Sequence, residues 1–384
     1  TATEVNSGNS SNDATIALTF TSSEATTNFA SGDITLSAGS INNTFAASGN
    51  AGTTYTATFT PNADATFTIS VGAGAFTDAV GNTSEASNTF TWTYDSTAPT
   101  VTITGDQGDS GSITNASAIT LSIDVSETPT GFAASDVTYS SAGSGAGTFG
   151  DLTATGDSPE YTITFTPDSS DTYTFSVAGG AFTDAVGNNN SASNNFEWQY
   201  DGTVPTVTGV IVAGGDDNYK ATEAVTIEVT FSEAVNVTGT PTLALNTNAN
   251  ATLTGGSGTA TLTFTYTVGS GQNTSDLDYA ATSSLSGTIK DLYGNNANLT
   301  LATPGQSGSI SDNDDVVIDT TAPNVSEADA VTTPSNDVTP SVTINSNEAG
   351  AISASSTLTG DVTAEIGNNT ITFDTLDAGS YDST

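Results

Sequence analysis

The sequence predicts an all-β chain of tandem immunoglobulin-like antiparallel β-sandwiches in an elongated array. Three observations carry that expectation. Thr, Val, Ile, Tyr and Phe are spread evenly along the 384 residues, and they suit half-buried strands. No run repeats apolar residues at the i, i+3, i+4, i+7 spacing that an amphipathic helix needs. Finally, the stretch GAFTDAVGN occupies 74–82 and returns unchanged at 180–188. That interval is domain-sized, well beyond the roughly 20–50 residues of a solenoid repeat.

The nine residues sit inside a longer match. Residues 74–100 align without a gap to 180–206, so Asp78 and Asp184, Trp92 and Trp198, and Pro99 and Pro205 each lie 106 apart. A divergent version reads DLYGNNANLT at 291–300 and VVIDTTAPN at 316–324. A fourth unit opens at Pro323 and runs into SVTINSNEAG at 341–350. The expected domains are 1–98, 99–204, 205–322 as a divergent subtype, and 323–384. The first lacks the start of its opening strand and the last stops early, so the chain reads as a slice of something longer.

In the second unit, alternation and turn residues place strands at 100–105, 118–126, 137–141, 149–156, 161–167, 171–178 and 194–200. Gly, Ser, Asn and Asp separate them. Seven short strands in about 100 residues describe an immunoglobulin-type sandwich. In the last strand Phe196, Trp198 and Tyr200 alternate with Glu197 and Gln199, as Phe90, Trp92 and Tyr94 do one unit earlier. Period two inside a strand assigns these aromatics to the core, and a sugar-stacking platform is the rival reading.

Charge narrows the function classes. Forty-two acids face two lysines, Lys220 and Lys290, for a net charge of −40, with no histidine or cysteine. Such a surface repels nucleic acid and anionic membranes and attracts divalent cations. No run reaches membrane-spanning length, so direct membrane insertion is not expected. Without His or Cys, a Ser–His–Asp triad, a cysteine nucleophile and a thiolate metal site are all excluded. GGSGTA at 255–260 has no following helix and no basic residue, so it reads as a hairpin turn rather than a phosphate loop.

The phrases YDSTAPT, IDTTAP, FTDAVGN and SNEAG, in the same order unit after unit, resemble the bacterial Ig-like repeats of giant surface and secreted proteins, large adhesins among them. The resemblance covers essentially the whole chain, with VTGTPTLALNT (237–247) and GSGTATLTFTYTV (256–268) similar to a sister subtype. It implies a non-enzymatic role outside the bacterial cell or on its surface, as stalk or adhesive array, with calcium bound at domain junctions. The adhesive ligand is left open. The partners it implies are neighbouring domains of the same chain. The alternatives are a self-assembling subunit of an extracellular filament, sheath or surface layer, pairing with other copies of itself by strand exchange, and, more weakly, a carbohydrate-binding module.

Strand order then places the acids. In a seven-strand antiparallel sandwich, the loops after strands two and six and the incoming linker share one pole. The second unit puts Glu127, Asp184 and Asp95 there, and the third puts Glu233, Asp291 and Asp201. The next junction offers Asp319 and Glu348, and the first unit offers Glu24 and Asp78. Three carboxylates at one pole, topped up by oxygens from Asn188 or Asn295, suit Ca2+ better than magnesium or zinc. The competing expectation is a plain turn, in which Asp and Asn bond their own backbone. Short linkers stiffened by Pro99, Pro205 and Pro323 would make a bridging cation fix the interdomain angle.

Overall fold

The computed structural model describes residues 1–42, 45–49, 52–156, 159–329, 337–353 and 363–373. It divides into two units, Thr1–Thr203 with Tyr293–Asn295, and Val204–Leu292 with Asn296–Thr384. Short strands dominate both.

The second sandwich is the clearest. One sheet runs in the order Gly147–Phe149, Glu160–Pro167, Ile119–Val125, Val101–Gly105, with Thr153–Ala154 also pairing to Glu160–Pro167. The other runs Ser112–Thr114, Phe196–Tyr200, Asp171–Val177, Val137–Ser141. The register sets Ile123 beside Ile103 on one flank and Tyr161 on the other. Alternation then turns Ile119, Leu121 and Ile123 into one core with Phe165, Tyr173, Phe175 and Trp198. The polar residues between them face outward.

One ladder goes beyond the expected antiparallel pattern. After Gly105 the chain leaves the first sheet, and Ser112–Thr114 joins the edge of the second, parallel to Phe196–Tyr200. This crossing strand also satisfies a buried donor, because Trp198 Nε1 donates to Thr114 Oγ1 at 3.0 Å. In the first sandwich Ser10–Ser11 runs parallel beside Phe90–Tyr94, and Trp92 Nε1 donates to Ser11 Oγ at 3.0 Å. Trp92 is 0% exposed and Trp198 1%. The aromatic stripe is core, and the observation that favoured a sugar platform is gone.

Each of the first three sandwiches has its own apolar cluster. The first gathers Ile16, Leu18, Phe59, Phe67 and Trp92. The third gathers Val225, Ile227, Val229, Leu262 and Phe264, with Asp217–Tyr219 parallel to Val316–Ile318. The third also corrects one placement. Glu233 was expected in a loop, but Ala224–Ala244 is a single strand of 21 residues, with register shifts between Thr230 and Val235 and between Thr238 and Thr242. SEAV contains no Gly, Pro or Asn, so nothing there breaks the extended chain, which kinks instead.

The glycines at 255–258 make the expected hairpin turn between Asn250–Gly255 and Thr259–Thr267. Gly256 has φ 92°, and a Cβ there would lie 2.1 Å from the Thr261 carbonyl oxygen. In the last unit Val325–Asp329, Ser341–Ser346 and Gly367–Thr372 form a three-stranded sheet.

Two substitutions test this packing. Trp198→Ala should cost about 3–5 kcal/mol in denaturant unfolding, as for a large core aromatic. Thr114→Val should cost about 1–3 kcal/mol, because it strands a buried indole N–H. A cost near zero for Trp198→Ala would remove it from the core.

Candidate metal centre

The repeated loop is built around one carboxylate. Asp184 Oδ1 accepts the backbone N–H groups of Val186, Gly187 and Asn188 at 2.8, 2.7 and 2.9 Å. Its Oδ2 accepts Asn188 Nδ2 at 2.8 Å. Gly187, at φ 98°, takes the left-handed step that brings the Asn188 N–H back towards the carboxylate. The first copy forms the same turn. Asp78 Oδ1 accepts from Val80 and Asn82 at 2.9 and 2.8 Å, and Oδ2 accepts Asn82 Nδ2 at 2.7 Å. The nine letters therefore encode a turn in both places.

Their surroundings differ. Asp78 is half-buried and Val80 is 85% exposed, whereas Asp184 is 3% exposed and Val186 is half-buried. Around Asp184 stand Asp95 from the linker and Glu127 from the loop after Ile119–Val125. One carboxylate oxygen from each of the three lies within 4.8 Å of the others. Asn188 ties linker to loop, because its Nδ2 also donates to the Asp95 carbonyl oxygen at 2.9 Å.

Asn188, expected to lend an oxygen to a cation, has both oxygens accepting hydrogen bonds here. Its Oδ1 accepts Asn12 Nδ2 at 3.2 Å, and its carbonyl accepts the Asp184 N–H at 3.1 Å. It acts here as a brace. Asn12 was missed by sequence reading, and so was Asn115, which gives Nδ2 to Asn295 Oδ1 at 3.4 Å. Asn295 in turn donates Nδ2 to the Asp201 carbonyl at 2.9 Å, and all three residues belong to the first unit. The only signal was an asparagine directly after Ser11 and Thr114, the residues that hold the indoles.

The electrostatics separate the three acids. Burial, then Asp184, then Asp95 push the Glu127 carboxyl above its ordinary value. Among the described residues no hydrogen-bond donor reaches that carboxylate. Burial acts on Asp184 in the same direction, but the Asn188 side chain and the Asn188, Val186 and Gly187 N–H groups outweigh it, holding Asp184 below the usual carboxylate range. Asp95 Oδ1 accepts the Thr97 N–H at 3.0 Å. An ionised, hydrogen-bonded Asp184 thus faces a Glu127 that has neighbours of its own sign and, among the described residues, no donor. A hard cation would relieve that arrangement. With no His or Cys in the chain, the donor set is oxygen alone, which suits calcium rather than zinc.

The other expected residues are distributed as follows. In the second unit, carboxylate oxygens of Glu233 and Asp291 come within 4.8 Å of each other, and Asp291 is 3% exposed. Asp201 belongs to the first unit. Glu24 and Asp78 line one open groove on the first sandwich. Asp319 Oδ1 accepts the Thr321 N–H at 2.9 Å, and the Glu348 N–H donates to Ser346 Oγ at 3.3 Å. Among the described residues, none of Glu24, Asp78, Asp319 and Glu348 joins two further acids.

A family model for the bacterial Ig-like domain matches residues 1–94 and again 95–200. The chain belongs to the bacterial Ig-like domain family. In this family-level match the second copy begins at Asp95, so the linker acid opens the repeat. Solved structures offer weaker likenesses. The D00-D0 domain of intimin aligns at 13% identity over 51% of this chain and 96% of its own, with a TM-score of 0.26. Domains 1-6 of the surface layer protein SbsC align at 13% identity over 94% of this chain and 61% of theirs, with a TM-score of 0.16. No curated protein matches the Ig-like chain.

The two copies of the loop supply their own control. Asp184→Asn and Asp78→Asn disturb nearly the same turn, but only the first lowers the charge of a three-acid group. Calorimetric titration with calcium should show affinity falling at least about tenfold for Asp184→Asn and unchanged for Asp78→Asn, since affinity follows ligand charge. Equal behaviour of the two variants would leave the loop as a turn alone.

Proposed function

We propose that this chain is a non-enzymatic segment of a large bacterial surface or secreted protein. In this reading its Ig-like sandwiches act as a stalk, stiffened where they meet by calcium. The observation that carries the reading is the convergence of Asp95, Glu127 and Asp184, with no donor reaching Glu127 among the described residues. The three come from a linker and two loops far apart in sequence, so a shared ion would tie the linker to the sandwich it enters. The recurrence of Asp201, Glu233 and Asp291 in step along the sequence extends the same role to the next junction. Family membership supports an extracellular structural or adhesive setting, and the acid-rich composition suits a cation-binding surface.

Calcium titration of the full chain by calorimetry tests the reading. Asp184→Asn and Glu127→Gln should each weaken one site, and the double variant should lose less than the sum, as ligands of one ion do. Absence of calcium binding by the wild-type chain would overturn the proposal. Chelator should change the maximum dimension seen by small-angle scattering while far-ultraviolet dichroism stays constant, because each core cluster is built of apolar residues that offer no metal ligand. An unmoved dimension would remove the stiffening role.

A further inference from the structure

We infer that each linker is held by the sandwich it leaves, with Asp64, Ser170 and Asn273 as dedicated clamps, and that the first two linkers are gripped again by residues that follow. Each of these residues lies in the loop before the penultimate strand of its own sandwich. Asp64 Oδ1 accepts the Ser96 N–H at 3.0 Å and the Ser96 hydroxyl at 2.7 Å, and Oδ2 accepts the Thr97 hydroxyl at 2.6 Å. Ser170, 106 residues on, takes the Gly202 N–H at 2.9 Å and shares a hydrogen bond with Thr203 Oγ1 at 3.1 Å. Asn273 Oδ1 accepts the N–H and the hydroxyl of Thr320 at 2.7 and 3.0 Å.

The linker acid adds a turn each time. The N–H groups of Thr97, Thr203 and Thr321 donate to Asp95, Asp201 and Asp319 Oδ1 at 3.0, 2.9 and 2.9 Å. Three linkers thus leave their sandwiches in one conformation, held by an Asp, a Ser and an Asn that share only an acceptor oxygen.

The far side of the linker is gripped by the sandwich that follows. The Pro99 carbonyl accepts the Ser191 N–H at 2.9 Å, and the Thr100 N–H donates to Ser126 Oγ at 2.9 Å. At the next linker the Pro205 carbonyl accepts the Asn298 N–H at 2.8 Å, and the Thr206 N–H donates to Ser232 Oγ at 3.0 Å. Between the two grips of the first linker a single residue is left, Ala98. Asp95 is therefore presented by the first sandwich as a fixed ligand, and a cation would span a joint only one residue long. Asp64 acts through the linker, as a positioning residue. This last consequence rests on the calcium reading, but the clamp does not.

Hydrogen exchange on the full chain, in chelator and in calcium, tests the clamp. Asp64→Ala should speed exchange at the Ser96 amide by about tenfold in chelator, the weight of one charge-assisted hydrogen bond. Exchange in the Phe90–Tyr94 strand should stay unchanged. Asp64→Asn should keep most of the protection, since an amide oxygen serves at Asn273. Calcium titration of Asp64→Ala should show weakened binding, as a ligand loses its fixed position. Equal Ser96 exchange in wild type and Asp64→Ala would overturn the clamp. Equal loss in Asp64→Asn and Asp64→Ala would overturn the shared role of the three residues. If the wild type binds no calcium but the Ser96 result holds, the calcium reading falls and the clamp stands.

Discussion

The hydrogen bonds that Asp184 accepts organise the upstream pole of the second sandwich. They curl the loop tightly enough for Gly187 to need a left-handed backbone. They also aim the Asn188 amide at the linker and keep a buried carboxylate charged. Remove that carboxylate and Asn188 loses the partner that orients it towards Asp95, while Glu127 loses one of the two charges that oppose its ionisation. The first sandwich has the same loop without the same burial. The turn is thus a property of the nine residues, and the acid cluster is a property of what they meet.

Much of this was legible from residue order. Alternation located all seven anticipated strands of the second sandwich to within about two residues, the usual uncertainty of strand ends, although 149–156 divided into Gly147–Phe149 and Thr153–Ala154. The buried tryptophans followed from period two. The grouping of Asp95, Glu127 and Asp184 followed from strand direction alone, because antiparallel order decides which loops share a pole.

What escaped has physical reasons. Ser112–Thr114 is three residues long and pairs parallel, so neither a hairpin turn nor a long alternation announces it. Glu233 was assigned to a loop by analogy with Glu127, yet its segment has no turn residue and stays extended. The linker clamps use an Asp, a Ser and an Asn at corresponding places, so comparison of the repeats by residue type passes over them. Asn12 and Asn188 are 176 residues apart and meet only because two sandwiches pack. No local pattern carries that information.

The short parallel ladder bears on how such a domain carries tension. A pull on the two ends of the second sandwich drags Ser112–Thr114 and Phe196–Tyr200 in opposite directions along their own axes. Their backbone hydrogen bonds are then sheared together instead of being peeled apart one by one, and the buried Trp198–Thr114 contact is loaded with them. A parallel ladder of the same kind recurs in the first and third sandwiches, so each would have such a lock if pulled along its length. A domain pulled at both ends would resist at the few residues where an early strand and the last strand lie side by side.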